Sequence, residues 1–589
     1  MADKTHARRL FLGCFMALVA TAFGFVVRGA VLEDWALQFG LSEEQKGIIQ
    51  GVGLYPFAIS IILFSLIVDR IGYGTAMMFA FVGHIVSTVL TIFAPNFAVL
   101  YIATFIYALS NGTVEAVINP VVATIYKDNK THWLNILHAG SPGGLVLAGL
   151  LAIAVLKTGE SVGAALPGKL WQWQMVILLI PIVIYGLLLI GLRFPIQERV
   201  EAGVSYREML GEFGWGSAYI VSFLLIMGIS QILTVLNEVT TIKIQPIDWR
   251  DALLYAIVPT VLFTTLLDKA RFAVAYAVSL ILIVVGSKYV DIPNISPIEL
   301  RHALVVAIAP ALLFGVPYRS FGRPIFVFLM LVMFLLATTE LGTDGWIQDI
   351  MRSVLDDPTK GTLFLVYTAS IMFVLRFFAG PIVHRISPLG LLAACSAIAA
   401  VGLYWLGNAA SVKMLFLAAT LYGVGKTFFW PTTLGTVSEL YPRGGALLLN
   451  AISGVGMISV GTIGMTAIGT VQDADFNRAV QQALPEAHGQ LVKTKPGLFS
   501  DYEYIDKARF GDPNIQLSGA QRDDLKTLES TTKQHALEKI AVLPVIMCVC
   551  YLILIAYFRS RGGYRAEVLT GHEAKDERFT GGTIGPVEA

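Results

Sequence analysis

The sequence predicts an all-α polytopic membrane protein: two bundles of six helices, with about four extra transmembrane helices inserted between them. Three observations lead there. Of 589 residues, 56% are hydrophobic and 14% charged, against about 25% charged in soluble domains. Apolar runs of the ~20 residues that cross a bilayer recur along the whole chain. Lys and Arg fall in every second loop between those runs, as loops on the cytoplasmic side require.

Six runs come first, over roughly 10–32, 46–68, 74–95, 97–126, 132–157 and 171–193. The start, MADKTHARRL, places basic residues before the first run, which is read as a retained helix because spans continue to the end. Shorter runs follow at 216–237, 252–268, 272–287 and 303–318, two of them holding Pro259 and Pro310. The last six are 324–347, 361–383, 388–408, 412–441, 444–469 and 538–558. With the N-terminus inside, the inside loops carry Arg70; Lys127 and Lys130; Arg193, Arg199 and Arg207; Lys269 and Arg271; Arg319 and Arg323; Arg385; Arg443; and Arg559, Arg561 and Arg565. The outside loop 33–46 is acidic. This alternation holds only with four spans between 216 and 318.

The expected units are an N-terminal bundle at 1–193, a central loop with inserted helices at 194–322, a C-terminal bundle at 323–558 and a disordered cytoplasmic tail at 559–589. Residues 470–537 are a polar extracytoplasmic insert; its second half, QLSGAQRDDLKTLESTTKQHALEKI, has helical composition. Cys14, Cys395, Cys548 and Cys550 all lie in apolar runs without zinc spacing and are read as buried hydrophobes, so no metal is expected. A net charge of +1 with no basic domain points away from nucleic acid.

The halves echo each other. Tyr126 precedes Asn135 by nine residues in YKDNKTHWLN, and Tyr441 precedes Asn450 by nine in YPRGGALLLN. Each asparagine opens a Gly-rich helix, and Asn119-Pro120 and Trp430-Pro431 lie in the preceding spans. Parallel repeats of this kind mark the two halves of membrane transporters.

SLIVDRIGYG resembles the loop signature of the major facilitator superfamily, with Asp69, Arg70 and Gly72 in place and Ser65 for its leading glycine. GPIVHRISPLG is similar to the second-half copy: Gly380 and Arg385 match, while His384 stands for its aspartate and Ser387 for its glycine. NGTVEAVINPVVATIY resembles the fourth helix of the fucose:proton symporter family, with Glu115, Asn119 and Pro120 matching its Glu-x-x-x-Asn-Pro pattern. LNILHAGSPGG (Asn135, Gly143) and WPTTLG are similar to that family's fifth and tenth helices. The likeness covers the first and last six spans and implies the major facilitator fold, a rocking of two halves about a central site, and gating by Asp69, Arg70 and Arg385. The family's first-helix aspartate falls near Gly29, where this chain has Arg28 as the nearest charge, so coupling through that carboxylate is not expected.

Burying an ionisable group in a bilayer costs roughly 2.5–3.5 kcal/mol, so such groups face a cavity and pair. Arg28, Glu115, Glu340 and Lys426 fall on the first, fourth, seventh and tenth helices of a twelve-helix core, the helices that line the cavity in the family this chain resembles. Each has a plainer reading. Arg28 lies high enough on its helix to snorkel, Asp344 reads as interfacial, and Arg376 as a structural pair or snorkel. His84 and His138 read as contacts between helices, with His138 also a candidate relay in a Gly-rich helix. Trp430 either packs or stacks on a ligand ring.

Gly423-Val424-Gly425-Lys426-Thr427 looks like the end of a phosphate loop, but position 420 is Thr420 and the stretch lies inside a span, so that reading fails. Lys426 is instead expected to face the cavity opposite Glu115 and Glu340. The substrate and coupling set is therefore Glu115, Asn111, Asn119, Arg28, His138, Glu340, Lys426 and Trp430. No Ser-His-Asp order or cofactor motif points to an enzyme.

The expectation is a monomeric, multi-pass secondary transporter in a bacterial inner membrane, both termini cytoplasmic. It moves a small polar solute, foremost a sugar, by alternating access with proton coupling; sodium is the alternative ion. A second reading gives Arg28 and Lys426 to an organic anion or sugar phosphate. A reading of another class is a non-transporting scaffold or sensor on the same fold.

Overall fold

The computed structural model describes residues 2–39, 49, 52–162, 168–239, 320–355, 358–495, 502–511, 517–567 and 569. Three of the expected inserted spans, 252–268, 272–287 and 303–318, lie outside the described residues. Among the described residues, eleven helices are long and apolar enough to cross a membrane.

The first bundle comprises α1 (Ala2–Ala30), α2 (Tyr55–Ile71), α3 (Tyr73–Ile92), α4 (Phe97–Ile125), α5 (Lys130–His138) leading into α6 (Gly140–Val162), and α7 (Leu170–Val176) leading into α8 (Leu179–Leu189). Next comes α9 (Tyr206–Val239). The second bundle begins with α10 (Pro324–Ala337), a π-helical turn at Thr338–Gly342, and α11 (Thr343–Leu355). It continues with α12 (Pro358–Arg376), α13 (Ala379–Ile386), α14 (Pro388–Gly407), α15 (Val412–Lys426) and α16 (Phe429–Leu440). It closes with α17 (Gly445–Ser459), a second π turn at Val460–Gly464, α18 (Met465–Ala483), α19 (Pro485–Leu491), α20 (Gly519–Ile540) and α21 (Val542–Ser560).

The bundles meet through contacts that exchange in pairs under the repeat: α2 on α17 with α6 on α12, and α4 on α17 with α5 on α16. One end of the molecule, called the terminal face here, gathers the start of α1 and the segment that follows α21. There His6 Nε2 lies 2.7 Å from Arg193 O, and Tyr564 OH donates to Glu439 Oε2 at 2.8 Å.

On that face the turn between α2 and α3 is made by Gly72, at φ 84° and ψ 150°. Between α13 and α14, Ser387 takes the same path at φ 65° and ψ 160°. The chain needs a left-handed corner at both places, and the second bundle makes it without glycine.

Helix α9 is kinked at Gly214, φ 64°. Its entry is zipped to the exit of the inserted segment: Trp215 N donates to Ser320 O at 3.2 Å, Gly216 N to Phe321 O at 3.1 Å and Arg323 N to Glu212 O at 3.1 Å. The Glu212 carboxylate also pairs with the Arg323 guanidinium. The inserted segment therefore leaves and re-enters at one clamp, and the twelve-helix core continues past it.

At the opposite face the polar insert is folded. Strands β1 (Val492–Lys495) and β2 (Tyr502–Ile505) pair antiparallel, Val492 opposite Ile505. With α18, α19 and α20 they enclose a small core of Phe476, Val480, Leu491, Ile505 and Leu525. Composition pointed to a helix in the second half alone; the hairpin has no strong strand pattern and is held by this core. Gln534 Nε2 ties the cap to α14 through Leu406 O at 3.1 Å and Ala409 O at 2.8 Å.

The tail expected to be disordered is anchored at its start. Glu567 N donates to Glu439 O at 2.8 Å, and Leu569 packs on Ala202 and Val204. Residues 570–589 lie outside the described residues.

Candidate substrate and coupling site

Helix α4 carries Tyr107, Asn111, Glu115 and Asn119 at a spacing of four, which aligns them on one face. Three of its four levels, Tyr107, Asn111 and Asn119, are met from other helices. Arg28 of α1 stacks on the Tyr107 ring, 4.1 Å from its centre, and its Nη2 donates to Ser87 Oγ at 3.0 Å. Tyr107 OH donates to Ala20 O at 2.6 Å. His84 of α3 donates from Nε2 to Asn111 Oδ1 at 2.9 Å, leaving Nδ1 to accept from Tyr185 OH at 2.9 Å. His138 of α5 reaches Asn119 Oδ1 at 2.9 Å.

Three members of the ladder region are incompletely partnered. Glu115 is buried with Oε2 lacking a hydrogen-bond partner, and Arg28 Nε and Asn119 Nδ2 are buried in the same state. Among the described residues Arg28 makes no ion pair. The snorkelling position open to Arg28 is not taken: its head turns inward onto Tyr107.

In the second bundle the π turn widens the helix where Glu340 sits, a device common at functional sites. Glu340 Oε1 meets Arg376 Nη2 at 3.2 Å, with both side chains buried. The Lys426 ammonium pairs with Asp344, lies 5.0 Å from the centre of the Tyr422 ring and is near enough to Glu340 to act on its charge. Asp344 is thus no mere interfacial residue. It sits four residues beyond Glu340, on the next turn of the same span, within reach of α15. Arg376, read as a structural pair, is the ion-pair partner of Glu340.

Helix α15 ends at Lys426 and α16 begins at Phe429, ahead of Pro431. A Cβ on Gly425 would lie 2.4 Å from Ala399 N, so only glycine lets α15 approach α14 here. Trp430 is buried against Gly456 of α17, whose added Cβ would meet its ring at 2.7 Å.

The gate residues divide by bundle. Asp69 Oδ2 accepts from Arg199 Nη2 at 2.7 Å in a buried pair, and Arg199 Nη1 donates to Val204 O at 2.5 Å. Arg70 lies over the Tyr206 ring, 4.6 Å from its centre. Arg385 is exposed and, among the described residues, makes no ion pair. The His384 side chain lies outside the described residues. Further locks, not foreseen, join the bundles at the terminal face. Lys130 Nζ pairs with Glu198 Oε2 at 2.7 Å and donates to Ser438 O at 3.2 Å. Thr131 Oγ1 donates to Glu439 Oε1 at 2.5 Å, and Arg443 pairs with Glu208 at 3.2 Å. Lys130 and Arg443, two cations of the inside loops, each bridge to a partner across this face. The terminal face is closed.

Comparison with known proteins agrees with this architecture. Residues 10–355 match the family model of the Major Facilitator Superfamily. A gentisate transporter of Corynebacterium glutamicum is 26% identical over 200 residues, 34% of this chain; the chain spans 43% of that relative's length. Among solved structures, the proton:xylose symporter XylE aligns with a TM-score of 0.53 at 11% identity, covering 92% of this chain and 95% of XylE. The E. coli fucose:proton symporter FucP aligns with a TM-score of 0.49 at 13% identity, covering 92% and 98%. At 11% identity the likeness to XylE is one of fold; the family model, matched over more than half of the sequence, settles membership: the chain belongs to the Major Facilitator Superfamily of membrane transporters.

Proposed function

We propose that the chain imports a small organic anion together with a proton, as a monomer in the cytoplasmic membrane with the terminal face inside. The observation that carries this is Arg28, a buried guanidinium without a carboxylate partner among the described residues. Lys426 and Arg376 already have Asp344 and Glu340. A buried charge is tolerated when a counter-charge reaches it, and an anionic solute is the counter-charge that Arg28 lacks. Glu115, two helical turns along α4 from the stacked Tyr107, is the group suited to take the proton. The name of the Corynebacterium relative, a gentisate transporter, supports an acid as cargo. The Lys and Arg content of the terminal-face loops supports its cytoplasmic orientation.

The sugar reading keeps one specific support, the Glu115-x-x-x-Asn119-Pro120 pattern. Uptake into liposomes decides between them, with labelled gentisate and labelled xylose offered under an inward proton gradient. Acid uptake that disappears in Arg28→Gln and partly returns in Arg28→Lys is the expected result. Sugar uptake without acid uptake would overturn the anion reading. Uptake that follows a sodium gradient and ignores the proton gradient would overturn the coupling. Neither solute moving in either gradient would leave the scaffold reading in its place.

A further inference from the structure

A proline inside a helix has no N–H for the carbonyl four residues before it. Pro142 thereby strands the carbonyl of His138, and Pro431 strands that of Thr427. Both carbonyls converge on Arg376. Its Nη1 donates to His138 O at 2.5 Å and its Nε to Thr427 O at 2.8 Å. Nη2 is left for Glu340 Oε1 at 3.2 Å. His138 belongs to the first bundle; Thr427, Glu340 and Arg376 belong to the second. One buried guanidinium therefore fills stranded acceptors on both sides of the interface, and a single carboxylate holds it there.

We propose that Arg376 is a positioning residue through which the charge on Glu340 controls the contact between the two bundles. Charged, Glu340 fixes the guanidinium across the α6–α12 interface. Neutral, it loses its hold on Nη2, the link to His138 O weakens, and the bundles part towards the terminal face. The backbone N–H of Trp430, at the start of α16, also faces Glu340, and Lys426 and Asp344 lie close enough to act on its charge; the side chains of the other polar groups around it have partners of their own. Lys426 pairs with Asp344, Tyr422 OH donates to Thr339 O at 2.6 Å, and the His138 ring meets Asn119. The packing against the π turn from the second π turn, α18 and α21 comes from Val460, Ile468 and Met547, which carry no charge. The inference rests on transport by rocking bundles and is independent of the solute carried.

The test needs no substrate. Ser438→Cys, on α16 beside Lys130, reports opening of the terminal face, in a background with Cys14, Cys395, Cys548 and Cys550 replaced by alanine. Labelling by a bulky maleimide is timed on purified protein in detergent. Glu340→Gln should speed labelling roughly fivefold or more, the lower range of coupling between sites. Pro142→Ala should do the same without touching a charge, because it returns an N–H to His138 O and takes that acceptor from Arg376. The pair Glu340→Gln with Arg376→Gln should label no faster than Arg376→Gln alone, and Arg376→Lys should fall between. A residue that merely buttresses the fold predicts otherwise: Pro142→Ala, which favours helix, would leave labelling unchanged or slower. That outcome, or a wild-type rate in Glu340→Gln, would overturn the proposal. Should Arg376→Gln fail to fold, Glu340→Gln and Pro142→Ala still decide it.

Discussion

The side-chain amide of Asn450 donates to the carbonyl of Ala116 at 2.9 Å, across the interface between the bundles. Ala116 is the residue that Pro120 leaves without its helix donor. The repeat-related Asn135 also crosses to the other bundle, donating to Thr432 Oγ1 at 3.2 Å. The asparagines at equal distance from Tyr126 and Tyr441 are thus reciprocal bolts between the halves, each set into the helix ahead of its partner's own.

Removing one bolt should strand a buried carbonyl. Asn450→Ala is expected to cost about 1–3 kcal/mol, the usual penalty for a buried acceptor left alone, read as a lower thermal midpoint in detergent. Pro120→Ala restores an N–H at the right place in α4. In that background Asn450→Ala should cost much less, and a double-mutant cycle with no coupling would refute the assignment.

The two corner residues make a second comparison. Ser387 holds the backbone conformation that Gly72 holds in the first bundle, at φ 65° against 84°. For a residue with a Cβ this costs about 1–3 kcal/mol. Ser387 Oγ caps α14 by accepting from Gly390 N at 3.2 Å, and replacing such a cap by glycine costs only a few tenths of a kcal/mol. Ser387→Gly should therefore raise the thermal midpoint, and Gly72→Ser should lower it.

The bundles were legible because bilayer-spanning helices announce themselves by length, apolarity and loop charge. So was the burial of Glu115, Glu340 and Lys426 within the spans. Partnership was not legible. Lys426 and Asp344 are 82 positions apart and Arg376 and His138 are 238 apart, and no local pattern links them. Asp344 read as interfacial because hydropathy takes no account of the π turn before it or of the nearness of α15. The proline-stranded carbonyls could have been found from sequence, since Pro120, Pro142 and Pro431 each name their acceptor by counting back four. What fills those acceptors follows only from packing.

Burial makes the Lys426–Asp344 pair asymmetric. The Lys426 side chain is fully buried, whereas that of Asp344 keeps 18% exposure. Asp344→Asn leaves a dry ammonium unpaired and should cost about 3–5 kcal/mol. Lys426→Met leaves a carboxylate that water can reach and should cost less. The double variant should recover most of the Asp344→Asn loss. Thermal midpoints of the three variants check the order, and equal losses for the two single variants would contradict it.

Glu439 offers the last test, because it belongs to one bundle and caps a helix of the other. Its Oε1 accepts from Thr131 N at 3.2 Å and Thr131 Oγ1 at 2.5 Å, in the first turn of α5. A carboxylate is favoured there by the partial positive charge of the helix N-terminus. Its Oε2 accepts from Tyr564 OH at 2.8 Å, and Leu569 N donates to Glu198 Oε1 at 3.3 Å. The segment that follows α21, through Tyr564 and Leu569, thus holds both carboxylates, Glu198 and Glu439, that seal the terminal face. Glu439→Gln should weaken the cap and the Thr131 link together. Tyr564→Phe removes a single hydrogen bond worth about 1 kcal/mol, so its effect on opening should be the smaller, a factor of about five. Maleimide labelling at Ser438→Cys measures both. Faster labelling in Tyr564→Phe would make the C-terminal segment part of the gate. Labelling that changes in Glu439→Gln alone would show that the segment rests on the seal without strengthening it.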